Sequence, residues 1–284
     1  LDSGQYEELA RLLRERLTFL EMTAPGRDPR IATALKNLGL VYQLQAHYDD
    51  AAALYERALE QHRRVDGDQS TAVALAASQL ATVYQALGRL QEAERLHLEA
   101  VSILKQNRAP QHLDVGLSLN NLAHLYVGQG RVAEARKLFR SALAIFEAAR
   151  GPIHSDVALA HTNLALCAKL VGNKSEALAH FTRAIEIFTA LGPDRPELAV
   201  ARDNLASFLA EEGSWKEALS EADQASNIII KQAQRGVFHA TASGDANAAA
   251  VPWNEAALAR YVKAAWEVWR SDRGADTVLR ERAF

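Results

Sequence analysis

The chain has 284 residues, 49% of them hydrophobic and 24% charged, with a formal net charge of -3 at pH 7 and a pI near 6.3. That balance excludes the basic footprint of a nucleic-acid binder or of a protein held on an anionic membrane surface. One cysteine, Cys167, excludes an internal disulfide framework and fits a reducing cytoplasm, no signal-peptide pattern opens the chain, and no apolar run is long enough to span a bilayer.

From the first residues onward the sequence repeats at a spacing of 42. Gly4-Gln5-Tyr6 carries a break followed by the pattern of a second helix, and Leu9 lies 42 before Ala51. Residues 1–23 therefore read as the second helix of a unit whose first helix is missing. Leu1 is not an initiator methionine, which gives the expectation of a chain that starts inside a longer protein or after a removed tag. Five full units follow. One column is Ala51, Ala93, Ala135, Ala177 and Ala218, and a second is Ala58, Ala100, Ala142, Ala184 and Ala225. A third is Leu38, Leu80, Leu122, Leu164 and Leu205, each followed by a small residue: Gly39, Ala81, Ala123, Ala165 or Ala206. The step is one residue shorter before the last copy. Repetition at this period marks stacked units, none of which buries its apolar face alone.

Each unit reads as a helical hairpin. In the third, the first helix spans about 115–127, with Leu119, Leu122, Ala123 and Tyr126 at helical spacing. Gln129-Gly130 ends it, because glycine accepts the left-handed conformation just past a helix. Gly88, Gly172 and Gly213 hold the equivalent place in three other units, and Ala46 holds it in the first. The second helix spans about 132–149. The alanine columns let paired helices approach closely, while Tyr42, Tyr84 and Tyr126 fill the space between hairpins. Pro25-Gly26, Gly67-Asp68, Ala109-Pro110, Gly151-Pro152 and Gly192-Pro193 are turn signals between units. After Ala233 the register is lost. Residues 234–252 read as a loop. Trp253 to Arg270 reads as a helix whose stripe of Tyr261, Ala265 and Trp269 caps the array or docks a further domain, and Thr277 to Phe284 begins another helix.

These columns resemble the tetratricopeptide repeat (TPR). Asn121-Leu122-Ala123 and its equivalents, with the connectors Gly151-Pro152-Ile153-His154-Ser155-Asp156 and Gly192-Pro193-Asp194-Arg195-Pro196, resemble the kinesin-light-chain type of that repeat. The resemblance covers residues 1–233 and implies an all-α, right-handed superhelical solenoid whose concave wall, made by the first helices, binds peptide segments of partner proteins. The tail, with Trp266-Glu267-Val268-Trp269 and a terminal Leu279-Arg280-Glu281-Arg282-Ala283-Phe284, resembles the segment before the caspase-like (CHAT) peptidase domain of bacterial TPR–CHAT proteins.

The residue before each repeat leucine is an amide: Asn37, Gln79, Asn121, Asn163 or Asn204. An amide offers both a donor and an acceptor, so a ladder of them can clamp the main chain of an extended peptide without reading its sequence. In the family that the chain resembles, the asparagine at this place contacts peptide backbone or carboxylate. Lys36, Asn120, His124, Leu166 and Lys169 lie within a turn of the ladder and complete the expected groove. Its charges are few and mixed, so it lacks the basic cluster that a terminal carboxylate requires; an internal stretch meeting Leu75, Leu117, Leu159 and Leu166 fits better.

No catalytic constellation is present. Cys167 sits where Val41, Val83, Leu125 and Phe208 stand in other units, which marks it as a core residue rather than a nucleophile with His161 or His124. The histidines show no pair at ligand spacing on one helix, so neither a metal nor a cofactor is expected. The expectation is an all-α, cytoplasmic scaffold of bacterial type. It binds another protein or an extended peptide, not nucleic acid or membrane, and serves as the regulatory or sensor part of a larger protein, with a C-terminal effector as a further partner. The alternatives are the regulatory half of a CHAT peptidase and the sensor array of a nucleotide-switch ATPase.

Overall fold

The computed structural model describes residues 3–23, 26, 28–109 and 111–234. They form eleven α-helices and, among the described residues, no strand. The chain divides into two compact units, residues 1–149 and 150–284. The first holds α1 (Ser3–Thr23), α2 (Pro29–Leu44), α3 (Tyr48–Asp66), α4 (Thr71–Ala86), α5 (Leu90–Asn107), α6 (Leu113–Gly128) and α7 (Val132–Arg150). The second holds α8 (Ser155–Leu170), α9 (Lys174–Leu191), α10 (Pro196–Glu211) and α11 (Trp215–Gln234). The even-numbered helices are the first members of five hairpins, and α1 is the unpaired second-type helix that the sequence led us to expect. The tail at 253–284 and all but the first residue of the loop at 234–252 lie outside the described residues.

Inside each hairpin the alanine columns are where the helices meet. Ala51, Ala93, Ala135, Ala177, Ala100, Ala142, Ala184 and Ala225 are completely buried. Gly116 shows how close the approach becomes: a Cβ built there would lie 2.8 Å from the Phe146 ring and 2.9 Å from Ile145 on α7. The reversal between the two helices is a Schellman motif repeated five times. His47 N–H donates to the Tyr42 carbonyl at 2.9 Å, as Arg89 does to Tyr84, Arg131 to Tyr126, Asn173 to Ala168 and Ser214 to Leu209. The motif needs one left-handed residue. Gly88, Gly130, Gly172 and Gly213 supply it with φ of 72–81°, and in the first hairpin Ala46 adopts φ 59° despite its Cβ.

The connectors also cap the next first helix. The Asp28 and Ser70 side chains accept from the backbone N–H groups of Arg30 and Val73. In the third and fourth hairpins the cap is an imidazole: His112 Nδ1 accepts from Asp114 N–H at 3.2 Å, and His154 Nδ1 from Asp156 N–H at 3.1 Å.

In the first compact unit, successive hairpins are stapled at one end. Tyr84 donates its hydroxyl to Glu56 on the preceding hairpin at 2.6 Å, and the Arg89 guanidinium lies 3.8 Å from the centre of the Tyr84 ring. One repeat later Arg131 lies 3.7 Å over Tyr126 and donates to Glu94 on α5 at 2.6 Å. Both tyrosines are buried, as knobs between hairpins should be. Burial and then the Glu56 hydrogen bond push the Tyr84 phenol up to about 12, so it stays a donor at every physiological pH.

Candidate peptide-binding face

In the first compact unit, α4 and α6 are neighbours. Ser78 Oγ and Ser118 Oγ lie 3.4 Å apart between them, both buried. Leu75 on α4 and Leu117 on α6 are equivalent residues and stay 43% and 42% exposed. One turn on from each leucine, on the same helix face, come Gln79 and Asn121. Gln79 is exposed, whereas Asn121 is half-buried and engaged with other groups of the protein. Asn37 on α2 is half-buried, with Leu40 exposed beside it. Lys36 and Asn120 are half-buried, in the column that holds buried Ser78.

His124 departs from the open-groove expectation. Its ring meets the Phe139 ring on α7 nearly edge-on, with centroids 5.1 Å apart and planes at 79°. Burial pushes its pKa down to about 4, so it is neutral at pH 7. The cause is geometric: three residues beyond the amide, the helix has turned from the face toward its own hairpin partner.

In the second compact unit, α8 carries Asn163, Leu166 and Lys169, and α10 carries Asn204. Both asparagines are half-buried, and Leu166 is exposed. Lys169 is not an isolated cation, since its Nζ lies 2.7 Å from Glu211 Oε1 on α10. Cys167 is buried in the core, and no helix among the described residues is long and apolar enough to cross a membrane.

Two features escaped the sequence reading. His161 and His180 pair across α8 and α9. His97 is completely buried, with neither ring nitrogen hydrogen-bonded, where Tyr55, Phe139 and Phe181 stand in other hairpins. Comparing columns between the two helices of a hairpin, 19 residues apart, is the signal that would have found the first.

Eleven helices joined by repeated reversals, with a ladder on the first members, define a helical-hairpin repeat array. The tetratricopeptide-repeat pattern matches residues 30–106, 72–148, 114–190 and 156–231, and the chain belongs to that family. Among solved structures it is similar to BtubC (BKLC) from P. vanneervenii, at 22% identity and a TM-score of 0.69 over 84% of this chain and 93% of that one. It is also similar to a Podosopora anserina putative kinesin light chain with nearly identical TPR-like repeats, at 22% identity and a TM-score of 0.63 over 76% and 100%. A single-substitution form of that protein gives 23% identity and a TM-score of 0.63 over 74% and 98%. At these identities the likeness establishes the fold. No curated protein is similar enough to match.

Proposed function

We propose that the chain binds an extended peptide segment of a partner protein across its first helices, with α4 and α6 as the best-defined part of the site. The observation that carries this is the pair Leu75 and Leu117: equivalent, exposed on neighbouring helices, and each followed one turn later by an amide. Burying such side chains stabilises a complex, and the amides satisfy the peptide main chain without demanding a sequence. Packed helices lie about 8–10 Å apart. An extended chain rises about 3.3 Å per residue. Apolar ligand residues three apart therefore match the two leucines.

Asn37, Lys36 and Asn120 extend the same reading along the first helices of the first compact unit, and Asn163, Leu166, Lys169 and Asn204 carry the same pattern within the second. His124 contributes by holding α6 against α7. The likeness of the tail to the segment before a CHAT domain supports a regulatory role within a larger cytoplasmic protein. Selection from a random peptide library tests the binding reading. Enriched peptides should share two apolar residues three apart, and enrichment without that spacing would remove the α4–α6 site.

A further inference from the structure

The pair of positions that His161 and His180 occupy has a consistent content elsewhere. The same two places hold Leu35 and Leu54, Ala77 and Leu96, and Leu119 and Leu138 in the first three hairpins. In the last hairpin they hold Arg202 and Glu221, which form an ion pair at 2.5 Å. A hairpin thus closes here on an apolar contact or on opposite charges. The fourth closes on two imidazoles, joined by a hydrogen bond between their Nδ1 atoms.

The rings meet through like atoms. His161 Nδ1 lies 2.9 Å from His180 Nδ1, with ring centroids 5.1 Å apart and planes at 39°. The other nitrogen of His180, Nε2, faces Glu176 Oε1 one turn back on α9, at 4.0 Å. That carboxylate is beyond hydrogen-bond reach, but its charge lies on the Nε2 side of the ring, where carboxylates stand behind imidazole ligands at metal centres. The other cation that acts on His161 is Arg183. The Arg183 guanidinium is itself paired with Glu186 at 2.9 Å. The His180 side chain keeps 22% of its surface exposed, which leaves a path for an ion and for water ligands.

We propose that His161 and His180 form a two-imidazole chelate for a divalent transition-metal ion, which clamps α8 to α9. The spacing also selects the geometry. Nitrogens 2.9 Å apart, each about 2.0–2.1 Å from a shared ion, subtend about 90° at it. That is the cis angle of square-planar or octahedral coordination, which suits Cu(II) and Ni(II) and is narrower than the tetrahedral angle of Zn(II). Among the described residues no group of three or more His, Cys, Asp or Glu side chains gathers to hold a metal, so water completes the coordination. The site is independent of the peptide face on α4 and α6. It departs from the expectation of no metal ligands, which considered histidine pairs along single helices only.

The test is calorimetric titration of the full chain with Ni(II), which does not oxidise Cys167, at pH 7.5, beside a variant carrying His161→Leu and His180→Leu. That variant restores the leucine pair of the first and third hairpins, so it should fold. The wild type should bind one equivalent more than the variant and should melt at a higher temperature with Ni(II) than without it. The variant should show no such shift. His161→Leu alone should weaken that equivalent by more than tenfold, since one imidazole cannot chelate. Zn(II) should bind the same site more weakly than Ni(II) does. Equal stoichiometry in wild type and variant, with equal thermal response to Ni(II), would overturn the proposal.

Discussion

Ser78 and Ser118 meet with their hydroxyl oxygens 3.4 Å apart between α4 and α6, the point in the first compact unit where two first helices touch directly. Ser78 and Ser118 are 7% and 3% exposed, so nothing larger fits without parting the helices. Ser118→Leu should destabilise the protein by roughly 1–3 kcal/mol, the usual cost of overpacking. Urea melts of the variant and parent measure it. Equal midpoints would show that α4 and α6 do not pack at this contact.

Gly116 makes the corresponding argument within a hairpin. The Cβ of an alanine there would sit 2.8 Å from Phe146 and 2.9 Å from Ile145, both on the buried side of α7. Helix propensity favours alanine by about 1 kcal/mol. The clash should nevertheless win, leaving Gly116→Ala less stable by roughly 1–3 kcal/mol. A chemical melt that finds the variant more stable would place α6 and α7 further apart than described.

Ala46 carries a positive φ of 59° where the equivalent residues are glycines. A left-handed non-glycine residue costs roughly 1–2 kcal/mol, against which glycine loses part through its larger unfolded-state entropy. Ala46→Gly should therefore stabilise by about 0.5–1 kcal/mol, seen as a raised denaturation midpoint. A lowered midpoint would mean that the first reversal is not left-handed at this residue.

His97 gives a pH dependence with a definite sign. Burial pushes its pKa down from 6.5 to about 4, so the folded protein keeps it neutral while the unfolded chain protonates it. Its contribution is fully present above pH 6.5 and is lost as the pH falls toward 4, on the order of 2–3 kcal/mol. His124 and His161 act in the same direction. Since Phe139 and Phe181 occupy the equivalent place, His97→Phe should fold and should be more stable at pH 7. It should also lose less stability than the parent between pH 7 and 4.5. Parallel pH profiles for the two proteins would show that His97 is not a buried neutral group.

The helical architecture was legible because repetition amplifies weak signals: the buried alanines at 51, 93, 135 and 177 and the reversals at Gly88, Gly130, Gly172 and Gly213 repeat at one spacing. Ala46 was placed correctly by register despite its residue type. The candidate face was legible at Leu75 and Leu117, whose exposure agrees with their position. It was less legible at its edges. His124 lies three residues beyond an amide, where rotation of the helix and the reach of the Phe139 ring decide its environment. Lys169 meets Glu211, 42 residues away on another helix, and no local pattern announces that pairing. His161 and His180 escaped for the same reason. The capping imidazoles of His112 and His154 lie in connectors, where a turn signal says nothing about which side chain accepts the first amide.

The peptide-binding reading rests most directly on Leu75 and Leu117. The decisive quantity is the calorimetric affinity of a library-selected peptide for the parent and for the variant carrying Leu75→Ser and Leu117→Ser. Both side chains are already about two-fifths exposed, so folding stability should change by no more than about 0.5 kcal/mol for each. Each leucine loses roughly 1 kcal/mol of burial against the ligand, so affinity should fall by more than about tenfold. Unchanged affinity in the folded variant would contradict the account and remove the binding site from the first helices α4 and α6.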